Sequence, residues 1–421
     1  MLLTSRTITI ILQAFIFIYP FMVFIRQSSG ELHHALQKFV LLSLVSLLLW
    51  LIFLSRWIIH KQTTQLKMNK VGVSLLLLAF IIVVSTFLSI DQYISIYGTK
   101  YRYEGAIALL SYITLFFFSY HFLPEKSHKK VFIGLAIGAF FAGMYGIIQH
   151  YYPRVFKLDF IRAESFFDHA NFFGSYLVLM MTLVSMLYLS SKKFMHTLLL
   201  FLINSTMFLA LIFTTTRSAW LGVTYGIIFL SIFIVLKRKF LWKRWAILLI
   251  GFSIIFILIN ISNENNYFNR ANTIVKDAAV VISEKGEGRD SVGSSRWYIW
   301  RNAFPLIENH AFVGSGPDTF ALVFPGHYEN LIFDKAHNEY LQIAITLGIP
   351  ALLLYLFILF QILLKGFKKA VTLEGQQEII QYGLLAMVLG YLLQAFFNIS
   401  VVPVAPFFWI VLGMLYKRSK A

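Results

Sequence analysis

An all-α polytopic membrane bundle is the fold class this sequence predicts, and three observations predict it. Of 421 residues, 58% are hydrophobic and 13% charged, against roughly 25% charged in soluble domains. About twelve runs are apolar over the length of roughly 20 residues that a bilayer crossing needs. Basic residues crowd into every second connection between those runs, the asymmetry of the positive-inside rule.

The expected spans cover residues 7–25, 39–59, 71–90, 106–123, 131–148, 172–189, 195–213, 219–236, 245–261, 340–364, 379–397 and 401–416. The last is short and carries Pro403 and Pro406. With the N-terminus placed in the cytoplasm, the inner segments hold Arg6; Arg56, Lys61, Lys67 and Lys70; Lys126, Lys129 and Lys130; and Lys192 and Lys193. They also hold Lys237, Arg238, Lys239, Lys243 and Arg244; Lys365, Lys368 and Lys369; and Lys417, Arg418 and Lys420. That is about 21 basic residues against Glu125, Glu374 and Glu378, leaving the outer segments near neutral at about 15 basic and about 16 acidic. The net charge of +17 is therefore anchoring, not the footprint of a nucleic-acid partner. With no cysteine, disulfides, thiolate metal sites and cysteine nucleophiles are excluded. The first span reads as a retained anchor, since no small-residue cleavage site follows its basic flank.

The whole chain reads as one integral membrane domain with both termini cytoplasmic. Spans one to nine fill residues 1–262, a large extracytoplasmic loop with short helices fills 263–338, and the last three spans fill 339–421. Among outer connections, 26–38 is modest, Tyr101-Arg102-Tyr103-Glu104 marks another, and 151–170 is amphipathic with mixed charge. In the large loop, Ser294-Ser295 is placed to cap a helix from Arg296 that Pro305 would halt. Trp297, Trp300 and Phe304 would share one face of it. Gly314-Ser315-Gly316-Pro317-Asp318 reads as a turn.

Three helix starts enter the membrane from outside: Thr214-Thr215-Thr216-Arg217 before the eighth span, His337-Asn338-Glu339 before the tenth, and His169-Ala170-Asn171 before the sixth. Unpaired N–H groups and the positive dipole end favour anions there. With Arg217 and Arg296 nearby, such a surface suits a diphosphate. Each residue also has a plainer reading. Arg217 snorkels to headgroups, His337 and His169 cap helices, Trp297 and Trp300 anchor at the interface, and residues 101–104 form an ordinary loop.

His337-Asn338 followed by Gly348 resembles the signature of the O-antigen ligase and polymerase family. Thr215-Thr216-Arg217-Ser218-Ala219-Trp220-Leu221-Gly222 is similar to that family's Arg-Ser/Gly turn, and Arg296-Trp297 with Gly314-Ser315-Gly316 to the pattern preceding its histidine. The likeness extends loosely to Arg102-Tyr103-Glu104-Gly105 and to residues 169–174. Ala351 departs from the fuller histidine motif, which has Gly, Thr or Tyr there; helix packing rather than chemistry is affected.

The resemblance implies a C-type glycosyltransferase architecture, with no metal and no cofactor. It implies transfer of a glycan from an undecaprenyl-diphosphate carrier to an acceptor hydroxyl on glycan, lipid or protein, outside the bacterial cytoplasmic membrane. Arg217 and Arg296 would then hold the diphosphate, and His337 would take the acceptor's proton. Asn338 and Glu339 would orient the histidine, with Glu339 a less favoured base. Arg102, His169 and Trp297 would contact substrate. Two rivals remain at this point. A lipid-linked oligosaccharide flippase or other transporter would place ionisable groups at mid-membrane, where the spans here have essentially none. A peptidoglycan polymerase of the shape and division type would rely on a loop aspartate such as Asp290 or Asp318. Sugar, acceptor and oligomeric state are not written in the sequence, nor is the choice between ligation and polymerisation.

Overall fold

The computed structural model describes residues 2–22, 34–60, 69–155, 162–283, 290, 292–325 and 333–419. The basic anchors Lys61, Lys67 and Lys420, and most of the 26–38 connection, lie outside the described residues. Helices and turns account for the described chain, with no strand among those residues. The first seven helices are α1 (Leu2–Ile18), α2 (His34–His60), α3 (Lys70–Phe87), α4 (Gln92–Tyr97), α5 (Ala106–Phe122), α6 (Glu125–Tyr151) and α7 (Ala170–Ser190). They continue with α8 (Phe194–Thr214), α9 (Arg217–Lys237), α10 (Trp242–Ser262), α11 (Asn266–Ser283), α12 (Arg296–Ala303), α13 (Leu306–Asn309) and α14 (Phe320–Val323). The chain closes with α15 (Glu339–Thr346), α16 (Ile349–Thr372), α17 (Gly375–Phe396) and α18 (Ala405–Arg418).

Nine of these, among the described residues, are long and apolar enough to cross a membrane. Three further expected spans coincide with shorter helices, α1, α5 and α18. The polytopic all-α class therefore stands, while the count of about twelve crossings rests on those three. α18 begins only at Ala405, because the turn at 401–404 with Pro403 and the Pro406 ring delay the helix.

The core forms around α7, buried over nearly its whole length between α8, α9 and α17. α9 and α17 approach closely because both present glycine: a Cβ on Gly222 would stand 2.8 Å from the Gly390 carbonyl oxygen, and the reverse holds equally. Small-residue contacts of this kind bring apolar helices together where burial of oily surface gives no drive. α10, by contrast, exposes Ile247, Ile250, Ile254, Ile257 and Leu258. An apolar helix left open in this way faces lipid.

Two features of the loop end position the site. α11 is amphipathic: Phe268, Val275 and Ile282 recur at seven-residue spacing and are exposed. Its other side meets α9 and α10. The short helices α12 to α15 close over a small core of Ile299, Leu306, Phe320, Phe324 and Ile345.

The expected tenth span, 340–364, is not one helix. α15 ends at Thr346, Gly348 turns the chain at φ +88°, and α16 starts at Ile349. The bend is fixed by distant chain: the N–H groups of Ser315 and Gly316 donate to the carbonyls of Ile345 and Thr346, and that of Ile349 to Ala311. Only glycine fits at the corner, since a Cβ there would come 2.5 Å from the Phe312 carbonyl oxygen. Glu339, at the start of α15, accepts from the hydroxyl of Tyr355, about 9 Å along α16 from its start by the usual helical rise. The α15 N-terminus therefore points into the bundle instead of outward. A helix does start at His337-Asn338-Glu339 as expected, and the difference lies in its direction and in its end at Thr346.

Candidate functional site

Thr214 ends α8, Thr215 turns the chain in the left-handed region at φ 48°, and Arg217 is the first residue of α9. Arg162 stitches this turn to the start of α7. Its guanidinium donates to the Thr214 carbonyl at 2.8 Å, Asn171 Oδ1 at 3.0 Å and Thr216 Oγ1 at 3.1 Å. Arg217 reaches away from α7 to the amphipathic helix α11, donating to Asp277 Oδ2 at 2.5 Å and Thr273 Oγ1 at 2.8 Å. Its other terminal nitrogen donates to Ser294 Oγ at 2.8 Å. Ser294 thus serves the arginine, and Ser295, with φ 63°, forms no side-chain cap on α12. The helix from Arg296 forms as expected, but capping by serine is not its cause.

Arg296 donates to the carbonyls of Phe397 at 2.7 Å and Gly293 at 2.9 Å. No carboxylate pairs with it among the described residues. Burial lowers its pKa to about 10, helped by the neighbouring charges of Arg217, Arg270 and Arg162. It remains a cation at neutral pH, held by neutral carbonyls. Arg217 and Arg296 line one cavity of about 320 Å³ between α9, α11 and α12. Its walls are mostly apolar and include Leu221, Ile274, Val281, Trp297 and Trp300. Phe304, expected to share that face, is instead 70% exposed and is absent from the lining.

His337 sits beside this cavity, not in its lining. Trp300 lines the cavity and donates its indole N–H to the Ala336 carbonyl at 3.0 Å. Gln342 Oε1 accepts from the Ala336 N–H at 2.8 Å. Held on both sides, the chain turns at His337 with φ 47°. The ring is half-buried, and its Nδ1 is sealed without a hydrogen-bond partner. Burial lowers the imidazole pKa from its ordinary value; Arg296 and Arg102 push the same way and Asp334 opposes them. The free imidazole is therefore neutral at physiological pH.

Other expected site residues divide into neighbours and supports. Arg102 donates through Nε to Asp334 Oδ2 at 2.5 Å and lies over the Phe172 ring. Burial raises the Asp334 pKa, but Arg102, Lys335 and His337 together outweigh it and hold the carboxyl below its usual range. His169 caps α7, its Nδ1 accepting from the Asn171 N–H at 3.0 Å. Its pKa falls to about 4, through burial first and then Arg162 and Arg102. Asn338 caps α15 by accepting from Leu341 N–H at 3.1 Å. Glu339 accepts from Ser400 N–H and the Tyr355 hydroxyl, on the side away from the arginine cavity. Both lock the histidine segment in place.

Residues 202–356 match the family model described as O-antigen ligase. No curated protein matches the chain. The O-antigen ligase stretch contains Arg217, Arg296, Trp297, His337, Asn338 and Glu339, whereas Arg102 and His169 lie before it. The match supports the family resemblance read from the sequence and, in general terms, membrane glycan biosynthesis of the O-antigen ligase and polymerase type. The structure adds members to the site that sequence reading missed. Asp334 couples Arg102 to the histidine segment, and Arg162 and Arg270 add positive charge around Arg296. Asp277 neutralises Arg217. The available signals were weak: Arg162 stood in a loop of mixed charge, and Arg270 and Asp277 on an amphipathic helix.

Proposed function

We propose that this protein is a membrane glycosyltransferase that moves a glycan from an undecaprenyl-diphosphate donor to an acceptor hydroxyl at the extracytoplasmic face of the bacterial inner membrane. The observation that carries the reading is that Arg217 and Arg296 line one apolar cavity whose wall residue Trp300 is bonded to the chain beside His337. A polyprenyl diphosphate is chemically divided in the same way, with an oily tail and an anionic head. The tail would lie against Leu221, Ile274 and Val281, and the diphosphate oxygens would meet the guanidinium groups. The basic connections at the opposite end of the bundle support an extracytoplasmic site.

In the reaction, the acceptor oxygen bonds to the anomeric carbon as the bond from that carbon to the diphosphate oxygen breaks. The acceptor's proton passes to His337, and the departing electron pair stays on the diphosphate, where positive charge lowers the barrier. One displacement inverts the anomeric configuration. The depressed basicity of His337 has a use here. Its chief charged depressor is Arg296, and a bound diphosphate offsets that charge. The imidazole becomes a stronger base when donor is in place.

Purified protein supplied with the host's lipid-linked glycan and acceptor should transfer glycan, and His337→Ala should lower turnover by about 10²–10⁴-fold, the usual worth of a general base. Unchanged turnover in a folded variant would remove His337 from the mechanism. In a deletion strain, single undecaprenyl-linked repeat units imply polymerisation, and long undecaprenyl-linked chains imply ligation.

A further inference from the structure

A second cavity, of about 90 Å³, opens among α3, α5, α15, α16 and α18. The segment 397–400 lines both cavities, and the segment 335–339 lines this one and is bonded to a wall residue of the other. Phe397 faces the arginines while Ile399 and Ser400 face the second cavity. Trp300 of the arginine cavity bonds Ala336, while Lys335 and Glu339 line the second cavity. His337 therefore lies in the partition between two chambers of opposite chemistry. The second holds Glu104, Asp318, Glu339 and Lys335, each buried, with the rings of Tyr112, Tyr355 and Trp409.

Its polar groups are partly spoken for. Lys335 pairs with Asp318, Tyr112 donates to Glu104, and Tyr355 donates to Glu339. The Gln342 side chain, which also lines the cavity, keeps a buried Nε2 without a partner. Burial raises the Glu104 carboxyl to about 8 against the pull of Lys335, so it is protonated at neutral pH and can donate as well as accept. With carboxyl groups outnumbering its one ammonium, the chamber disfavours a diphosphate. Aromatic rings beside hydroxyl-binding carboxyls and an amide suit a neutral sugar.

We propose that this second cavity is the acceptor site, taking the uncharged, hydroxyl-bearing saccharide end of the acceptor and delivering it to His337 from the side opposite the lipid diphosphate. The proposal rests on the glycosyl-transfer reading above. It explains why His337 lines neither chamber and stands instead in the segment between them.

The chain contains no cysteine, so single cysteines can be placed and blocked cleanly. Leu109→Cys and Ile343→Cys put a thiol in the second cavity, and Ala278→Cys puts one in the arginine cavity. Each purified variant is treated with N-ethylmaleimide and returned to host membranes that lack the native protein but keep its glycan donor and acceptor. Each is compared with its own untreated rate, and the cysteine-free chain controls for the reagent. Blocking Leu109→Cys or Ile343→Cys should lower transfer at least tenfold while binding of undecaprenyl diphosphate stays unchanged. Undecaprenyl diphosphate should protect Ala278→Cys from the reagent and leave the other two unprotected. The acceptor site is overturned if both second-cavity thiols resist the reagent. It is equally overturned if blocked protein transfers at its untreated rate, or if blocking weakens undecaprenyl diphosphate binding in step with transfer. Absence of transfer by the cysteine-free chain itself would instead defeat the glycosyltransferase reading.

Discussion

Arg217 and Arg296 line the same cavity, yet the protein holds their charges in opposite ways. Arg217 is fixed by the carboxylate of Asp277 and two hydroxyls. Arg296 is fixed by two carbonyl oxygens, which orient it without cancelling its charge. A guanidinium already paired has little field left for a ligand, whereas a buried, unneutralised one is raised in energy and is relieved by an arriving anion. Arg296, and not Arg217, is also among the charges that depress His337. In the proposed reaction, Arg296 would then meet the developing charge on the leaving group and Arg217 would dock the donor.

The largest effect is expected from Arg296→Gln, which keeps a donor for the Phe397 carbonyl but removes the charge. Transfer should fall about 10²–10³-fold, the scale for losing one preorganised donor to a transition-state anion. Arg296→Lys should not restore it, since one ammonium cannot reproduce the planar fork held by Phe397 and Gly293. Arg217→Gln should cost less, about tenfold, and appear mainly as weaker donor binding. Equal losses in turnover for both variants would break the distinction.

Much of this arrangement is legible in the sequence, and the illegible part has a definite cause. The turn at Thr214 to Arg217 could be read because its signal is local, a polar run followed at once by an apolar one. The break between α15 and α16 could not, because the apolar run continues across Gly348 and the bend is enforced by hydrogen bonds from Ser315, Gly316 and Ile349. The pairing of Arg102 with Asp334 spans 232 positions of sequence. Nothing local to either residue announces it. Asn338 and His169, expected at the substrate site, cap their helices, and Asn and His are apt for both roles.

The pH dependence sharpens the same comparison. A base must be neutral, and the imidazole pKa is lowered in the free protein. The acid limb of kcat/KM for donor should therefore lie below the ordinary histidine range near 6.5. The limb of kcat reports the donor complex, where diphosphate offsets Arg296, and should lie at higher pH. Two variants should move the free-enzyme limb in opposite directions. Asp334→Asn removes a charge that supports the imidazolium and lowers it further; Arg296→Gln removes one that opposes the imidazolium and raises it. Coincident limbs in kcat and kcat/KM would show that donor does not act on the histidine through charge.

The smallest expected effect comes from Asp277→Asn, and it tests the pairing of Arg217 most directly. Asp277 Oδ2 accepts from both Arg217 and the Gly293 N–H, the latter at 3.0 Å. Asparagine keeps an acceptor in that place and removes only the negative charge. Arg217 then keeps its position but loses its counter-ion, so undecaprenyl diphosphate should bind a few-fold more tightly. The gain should shrink as salt rises, because the Asp277 side chain is 30% exposed and open to screening. Weaker binding would mean that Asp277 contributes geometry which the amide cannot reproduce. Unchanged binding at low salt would mean that Arg217 never faces the diphosphate, leaving Arg296 as the clamp.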